Sequence, residues 1–312
     1  MSQKNLIVIV GPTAIGKTAL SIQLANYFKT EIISADSRQF YREMEIGTAK
    51  PSAVELSAAK HYFVNSHSIQ DNFNVGDFEK EAVKLLENLF QEHDQVVMVG
   101  GSGLFINAVC NGFDELPTAN EETRNQLNAL FAEKGIESLQ EKLKAADPEY
   151  YDEVDIQNPQ RIIRALEVIE TTGKPFSLFR TRIQKNRPFN IIKIGLNTDR
   201  KVLYDRINFR VDEMVRTGLF EEVESLKDFR HLNPLKTVGY SEVFQFLDGE
   251  LSREEAVEKI KQNTRRFAKR QITWFKKSED IKWFEPNQFD AIIEYLNSIA
   301  IVLNAGSKEI EE

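Results

Sequence analysis

Short apolar runs alternate with amphipathic, helix-length segments through the first hundred residues. Residues 6–10 (LIVIV) predict a buried strand, and residues 19–28 place Leu20, Leu24 and Phe28 on one face of a helix. A second strand is predicted at residues 31–35, an amphipathic helix at residues 78–91, and a third strand at residues 95–103, where it runs into a glycine-rich turn. This alternation predicts an α/β fold, with a parallel sheet flanked by helices on both faces.

The hydrophobic pattern changes between residues 114 and 187, which are charged and rich in helical periodicity. Three helices are predicted there, at residues 121–134, 136–145 and 159–171. Strand-like sequence returns at residues 189–196. We therefore expect residues 1–113 and 188–312 to form the α/β core, and residues 114–187 to form a helical insertion.

The rest of the core is predicted to be mostly helical. The expected helices lie at residues 199–217, 221–227, 241–247, 253–276 and 289–303, with a short strand at 282–284. The helix at 199–217 carries Arg206 and Arg210 one turn apart, on the same side.

A glycine-rich loop follows the first strand and leads into the first helix. It reads GPTAIGKT and matches the GxxxxGK[ST] pattern, in which backbone N–H groups and a helix N-terminus hold phosphate oxygens. Lys17 adds a positive charge, and the Thr18 hydroxyl can hold Mg²⁺. The predicted diphosphate site comprises Gly11, Pro12, Thr13, Ala14, Ile15, Gly16, Lys17 and Thr18.

Asp36 follows the second strand directly. Functional residues gather at the carboxyl ends of parallel strands, so we expect Asp36 near the phosphate loop. Gly100, Gly101 and Gly103 form a second turn that could approach a ligand, although a tight turn into a helix explains them equally well.

Composition narrows the function classes. The net charge of −8 argues against a generally nucleic-acid-binding surface, yet residues 259–277 contain basic and aromatic side chains and no acidic one. The single cysteine, Cys110, excludes an internal disulfide and fits a reducing cytoplasm. The histidines lack zinc-ligand spacing, and no apolar run has the length of a membrane span. We expect a cytoplasmic monomer that does not bind membranes.

Five motifs occur in fixed order: GPTAIGKT, DSRQFYREMEIGTAKP, GGSGLF, NPQRIIRALEV and RRFAKRQITWF. With them the chain resembles the tRNA dimethylallyltransferases, also called tRNA isopentenyltransferases, over nearly its whole length. The resemblance implies a nucleoside-kinase-like P-loop core with a helical insertion. It also implies transfer of a dimethylallyl group from dimethylallyl diphosphate to the exocyclic amine of the adenosine 3′-adjacent to the anticodon, in tRNAs that read codons beginning with U.

The resemblance assigns roles to particular residues. Asp36 is expected to accept the amine proton, while Thr13, Lys17 and Arg210 contact the diphosphate, and Mg²⁺ is bound at Thr18. Asp36 could instead be a Mg²⁺ ligand, and Arg206 could be structural. The residues expected to contact the tRNA anticodon stem-loop are Asp36, Ser37, Arg38, Gln39, Ser102, Arg124, Gln160, Arg161, Ile162, Ile163, Arg164, Arg265, Arg266, Lys269 and Arg270.

Two positions depart from the family pattern. Ser102 stands where threonine is usual and keeps the hydroxyl, whereas Phe105 stands for tyrosine and lacks it. The absence of cysteines for a C-terminal zinc finger indicates the bacterial type. Two other functions stay open at this stage: a small-molecule P-loop kinase that uses ATP, and a nucleotide-dependent RNA-binding module without transferase chemistry.

Overall fold

A six-stranded parallel sheet forms the centre of the protein. The computed structural model describes residues 3–114, 116–117, 120–181 and 184–308. Its strands are β1 (Asn5–Val10), β2 (Ile32–Ser34), β3 (His61–Tyr62), β4 (Gln95–Val99), β5 (Asn190–Leu196) and β6 (Ile281–Phe284). They lie in the order β3-β2-β4-β1-β5-β6, and every pair is parallel. The predicted α/β fold class is confirmed.

The helices are numbered in chain order. They are α1 (Lys17–Phe28), α2 (Ala53–Ala58), α3 (Val75–Glu92), α4 (Gly103–Asn111), α5 (Glu121–Ala146), α6 (Pro148–Glu153), α7 (Pro159–Thr172), α8 (Arg200–Arg216), α9 (Leu219–Ser225), α10 (Tyr240–Leu247), α11 (Arg253–Phe275) and α12 (Phe289–Lys308). Short 3₁₀ turns occur at Phe176–Phe179, Lys227–Phe229 and Asn233–Leu235. Within the described residues, no helix is both long and apolar enough to cross a membrane.

The apolar run of β1 is buried on both faces of the sheet. Leu6, Val8 and Val10 pack on one side, against α3 and α4. Ile7 and Ile9 pack on the other, against α1, α8 and α12. Because both faces are covered, the strand is continuously hydrophobic instead of alternating.

The chain divides into two compact units. The first comprises Met1–Cys110 and Asn186–Glu312, and the second comprises Asn111–Lys185. The second unit has its own hydrophobic core, to which Leu139, Leu143 and Leu166 contribute. Two helices were predicted at residues 121–134 and 136–145. The structure has one element, α5, interrupted at Gly135, whose φ of 78° is not helical.

A third cluster of apolar side chains lies within the first unit, beside the main sheet. It joins α8, α9, α10 and α11 to the segment after β2, through residues that include Met44, Val211 and Tyr240. The same segment inserts Phe40 into the core under the sheet. The segment after β2 therefore contributes side chains to two hydrophobic clusters.

Candidate active site

The glycine-rich loop between β1 and α1 has the backbone that its sequence predicts. Gly11 has a φ of 148°, and a Cβ there would lie 2.7 Å from the carbonyl oxygen of Leu196. Gly16, with a φ of 107°, is the residue before the first turn of α1. Both positions require glycine, so that the loop can pass close to β5 and enter the helix.

Lys17 is half-buried beside this loop. Its ammonium group donates to the carbonyl oxygens of Gly11, at 3.0 Å, and Pro12, at 2.8 Å. Burial lowers the pKa of Lys17 to about 8; nearby Asp36 opposes this shift, and Arg210 adds to it. The lysine therefore holds a charge that is poorly solvated, and an anion bound in the loop would stabilise it.

The two arginines of α8 contact different parts of the loop. Arg210 Nη1 lies 3.4 Å from the Thr13 hydroxyl, whereas Arg206 Nη1 donates to the carbonyl oxygen of Ile15 at 3.2 Å. Burial lowers the pKa of Arg210, and Glu55 and Asp36 partly offset it. Arg206 thus supports the loop backbone, and Arg210 is placed beside the residue that was predicted to contact the diphosphate.

Asp36 lies at the carboxyl end of β2, as predicted. Its Oδ1 accepts the Arg38 N–H at 3.1 Å, which turns the chain after the strand. The same carboxylate opposes the burial-driven decrease in the pKa values of Lys17, Arg38 and Arg210. Asp36 is therefore an acceptor surrounded by three cationic side chains.

Two adjoining cavities meet at Asp36. The first, of about 420 Å³, has an apolar part formed by side chains that include Val211, Met214 and Ile260. The second, of about 370 Å³, is bordered by residues 13–18 of the loop and by Lys50, Glu55 and His61. Both are bordered by Thr13, Asp36, Thr48, Ala49, Arg210, Phe267 and Gln271.

The glycine turn after β4 is tied to the segment after β2. A Cβ on Gly100 would lie 2.3 Å from the Ala35 carbonyl oxygen, so this close approach requires glycine. The Ser102 hydroxyl accepts the Ser37 N–H at 3.1 Å and donates to the Ser37 hydroxyl at 3.1 Å. Phe105 packs against Phe40 and Phe78, at ring distances of 5.5 and 5.4 Å. The two residues that depart from the family pattern thus border the first cavity with a hydroxyl and an aromatic ring.

Gln39 is turned inward, although we expected it to contact tRNA. Its amide nitrogen donates to the carbonyl oxygens of Thr48, at 3.4 Å, and Ala49, at 3.2 Å. Its amide oxygen accepts from the Ser34 hydroxyl at 3.3 Å. In this structure the side chain joins β2 to the wall of the cavities, because both ends of the amide are used inside the protein.

Glu222 organises the same wall and was not predicted from the sequence. Its carboxylate accepts the backbone N–H groups of Glu45 at 3.0 Å, Ile46 at 2.7 Å and Gly47 at 3.0 Å. It also accepts the Tyr240 hydroxyl at 2.5 Å. No pattern of spacing reveals such a residue, because its partners are backbone groups distant in sequence.

The basic helix α11 presents its side chains in two directions. Arg265 is half-buried and donates to Asn208 Oδ1 at 2.6 Å, so it is directed toward α8. Arg266, Lys269 and Arg270 are exposed. Phe267 and Trp274, exposed by 39% and 40%, border the first cavity together with Arg270. The helix thus combines exposed cationic charge with aromatic surface at a cavity edge.

In the second unit, the segment of α7 that was predicted to contact tRNA has some side chains on the exposed face of the helix and others on its buried face. Gln160 and Arg161 are exposed, but Ile162 and Ile163 are completely buried in that unit's core. Burial therefore contradicts direct side-chain contact of these two isoleucines with tRNA. Arg164 donates to Glu167 Oε2 at 3.2 Å.

Arg124, from α5, also approaches the carboxylate of Glu167. Its Nη1 is 3.9 Å from Glu167 Oε2, and its side chain is 42% exposed. Arg164 also donates to the Pro117 carbonyl oxygen at 2.8 Å. The buried Glu167 therefore brings two of the expected tRNA contacts, Arg124 and Arg164, together.

Comparisons with known proteins identify similar chains. The IPP transferase family matches residues 39–278. A tRNA dimethylallyltransferase of Christiangramia forsetii is 54% identical over 298 residues, covering 94% of this chain and 99% of the relative. The tRNA dimethylallyltransferase 1 of Bacteroides fragilis is 49% identical over 298 residues, covering 96% and 99%. The crystal structure of a tRNA isopentenylpyrophosphate transferase from Bacillus halodurans has a TM-score of 0.72 and 38% identity, covering 99% of this chain and 100% of that one.

Proposed function

This chain belongs to the tRNA dimethylallyltransferase (IPP transferase) family, and we propose how its residues carry out the transfer. The protein is a tRNA dimethylallyltransferase that forms isopentenyladenosine. We propose that it uses dimethylallyl diphosphate and the adenosine 3′-adjacent to the anticodon, in tRNAs reading codons that begin with U. The observation that carries this assignment is the meeting of two cavities at Asp36, Thr13 and Arg210.

The diphosphate is placed in the second cavity. Residues 13–18 of the loop, with the N-terminus of α1, border this cavity, and Lys17 and Arg210 supply positive charge for an anion there. As the allylic C–O bond breaks, negative charge accumulates on the departing diphosphate. Fixed donors and half-buried cations stabilise that charge without reorganising, and this lowers the barrier.

The dimethylallyl group and the adenine are placed in the first cavity. Its apolar part, bordered by Val211, Met214 and Ile260, suits a five-carbon chain, and it is continuous with the diphosphate site at Thr13. The adenosine has to leave the base stack of the anticodon loop to enter. Phe267 and Trp274 border the cavity and provide surfaces on which a base can stack.

Asp36 is placed as the base for the adenine amine. The exocyclic nitrogen forms a bond to the allylic carbon as the C–O bond breaks, and its proton passes to the Asp36 carboxylate. Lys17, Arg38 and Arg210 each interact electrostatically with this carboxylate. The alternative role of Asp36, as a Mg²⁺ ligand, is compatible with its place beside the second cavity.

The residues of the second cavity fit a Mg²⁺ ion that accompanies the diphosphate. Thr18 and Asp36 border this cavity, yet within the described residues no group of three or more His, Cys, Asp or Glu side chains could hold a metal. Mg²⁺ commonly takes one or two protein ligands together with waters and phosphate oxygens. When bound at Thr18, the ion would neutralise diphosphate charge.

Exposed cationic side chains support the tRNA contacts that we propose. In the first unit these are Arg266, Lys269 and Arg270, with Arg38 and Ser102 at the first cavity. In the second unit they are Arg124 and Arg161, together with the exposed but uncharged Gln160 and the half-buried Arg164, while Ile162 and Ile163 support the helix from its buried side. We propose that the second unit binds tRNA, and that the enzyme acts as a monomer in the cytoplasm.

A labelled transfer assay tests the function. Dimethylallyl diphosphate labelled in the allyl group is incubated with unmodified anticodon stem-loops that differ in the codon they read. Label is expected in adenosine next to the anticodon of those reading U-starting codons, with release of diphosphate. Transfer of phosphate from γ-labelled ATP to a small molecule, in a parallel reaction, would instead support a kinase, and tRNA binding without allyl label would support a binding module.

A further inference from the structure

Gln271 of α11 makes two hydrogen bonds inside the candidate site. Its Oε1 accepts the backbone N–H of Thr13 at 2.8 Å, and its Nε2 donates to the carbonyl oxygen of Gly101 at 3.0 Å. An N–H group can only donate and a carbonyl can only accept, so these partners fix the orientation of the amide. The side chain is 6% exposed and borders both cavities.

The glycine at position 101 makes room for this amide. A Cβ on Gly101 would lie 2.3 Å from Gln271 Nε2, so the amide can reach the turn only because residue 101 is glycine. A carboxamide at this position therefore replaces solvent as the partner of two buried backbone groups. Removing it would leave both groups unpaired, which is costly in a buried site.

The two backbone groups bonded to Gln271 belong to different parts of the site, one beside the proposed leaving group and the other beside the proposed base. Thr13 is in the phosphate loop, and its hydroxyl lies 3.4 Å from Arg210. Gly101 precedes Ser102, whose hydroxyl bonds to Ser37, the residue after Asp36. One amide thus joins the loop that holds the leaving group to the turn that supports the base.

We propose that Gln271 is a positioning residue for the transfer, holding the phosphate loop and the Gly101 turn at the separation in which diphosphate and Asp36 face each other. This proposal rests on the proposed function. It adds a residue that acts through the backbone of Thr13 and Gly101.

The charges near the amide determine what a variant will do. The Lys17 ammonium lies 3.9 Å from the position of a Gly101 Cβ, and Asp36, Arg210 and Arg270 border the first cavity with Gln271. A neutral amide does not form an ion pair with these cations, so they can interact with the diphosphate. A carboxylate in its place would attract Lys17 and repel the leaving group.

The first test is Gln271→Met, which keeps the length and removes both hydrogen bonds. We expect kcat/KM for dimethylallyl diphosphate to fall about tenfold or more, because two buried groups lose their partner. The dissociation constant for the anticodon stem-loop should change by less than about twofold, since the exposed cations of α11 are untouched. Wild-type kinetic constants in this variant would overturn the proposal.

The second test is Gln271→Glu across pH 5.5 to 8.5. A protonated glutamic acid has the shape of the amide, and it can accept from Thr13 N–H and donate to Gly101 O, whereas the ionised form cannot donate. The activity ratio of this variant to wild type should therefore rise toward one as pH falls, while the ratio for Gln271→Met stays flat. Taking ratios cancels the titration of groups that all the proteins share.

Gln262→Glu is the matched control, because Gln262 is exposed on the same helix. It should show wild-type activity at every pH. A Gln271→Glu ratio that stays near one at every pH would overturn the positioning role, even if Gln271→Met is impaired by misfolding. If wild type transfers no label to tRNA, the proposed function itself fails, and that result is separate from either variant.

Discussion

The guanidinium group of Arg210 lies 3.4 Å from the hydroxyl of Thr13, although the two residues are 197 positions apart in the chain. The contact brings α8 to the phosphate loop and puts a half-buried cation beside the proposed leaving group. Replacing Arg210 by alanine should remove charge stabilisation that is needed most as the diphosphate departs. We expect kcat/KM for dimethylallyl diphosphate to fall by about 10²–10³-fold, the scale of losing one preorganised donor.

Arg216 provides the control for this variant. It is on the same helix, 69% exposed, and paired with Glu213 at 2.6 Å. Arg216→Ala should leave transfer within about twofold of wild type, since exposed ion pairs contribute little. Equal activity of the Arg210 and Arg216 variants would contradict a role for Arg210 at the diphosphate.

Asp36 is expected to act mainly in the transition state. Asp36→Asn keeps an oxygen that can accept the Arg38 N–H but cannot take the amine proton. Steady-state kinetics should show kcat lowered by about 10²–10⁴-fold, with tRNA affinity within a few-fold of wild type. Asp36→Glu should retain more activity than Asn. A parallel collapse of tRNA affinity would show instead that Asp36 mainly binds RNA.

The sequence predicted the main sheet well because its signals are local. The apolar run of β1 and the Gly11 and Gly16 positions each reflect a constraint that neighbouring residues already express. The same reasoning missed β3 and α2, which are two and six residues long, too short for a period to appear. Apolar type alone does not show burial either: Val202 of α8 is 43% exposed.

Site residues that act through the backbone were not predictable. Gln271 bonds to Thr13 and Gly101, which are 258 and 170 positions away. It lies within a motif that suggested RNA binding, and nothing in its spacing points inward. Conversely, Ile162 and Ile163 were assigned with their motif to tRNA, although helix periodicity buries them. Motifs identify segments, whereas packing decides the direction of each side chain.

Lys17 predicts a pH dependence of substrate use. Burial lowers its pKa to about 8 from the usual 10.5, so its ammonium loses a proton as pH rises through about 8. We expect kcat/KM for dimethylallyl diphosphate to decrease there, and Lys17→Arg to lack this decrease because its charge persists. A wild-type profile that stays flat to pH 9.5 would contradict the prediction.

The lowered pKa of Lys17 also affects stability, which should rise with pH where kcat/KM falls. Between pH 8 and 10.5 the unfolded chain holds a proton on Lys17 that the folded chain has lost. The contribution of Lys17 to the free energy of unfolding should therefore increase with pH across this window. Thermal unfolding of wild type and Lys17→Met at pH 7.5 and 9.5 measures it: the stability gained by the Met variant over wild type should shrink at the higher pH.

Glu222 should stabilise the wall that borders both cavities. Glu222→Gln puts an NH₂ group where a carboxylate oxygen accepts backbone N–H groups, and leaves at least one donor unpaired. We expect a loss of about 1–3 kcal/mol in stability, measured as a lower midpoint of thermal unfolding. Glu221→Gln, on the exposed side of α9, is the control and should leave the midpoint unchanged.

Lys269 tests the contribution of α11 to tRNA binding. Its side chain is exposed, and if it contacts a phosphate, Lys269→Ala should weaken binding to every stem-loop alike. The slope of log affinity against log salt concentration should decrease by about one, as expected for one lost phosphate contact. Arg265→Ala removes the same charge from the same helix, but that side chain is bonded to Asn208, so its slope should change less. If the two variants lose equal slope, the direction of the side chains does not matter and only the net charge of α11 attracts the RNA.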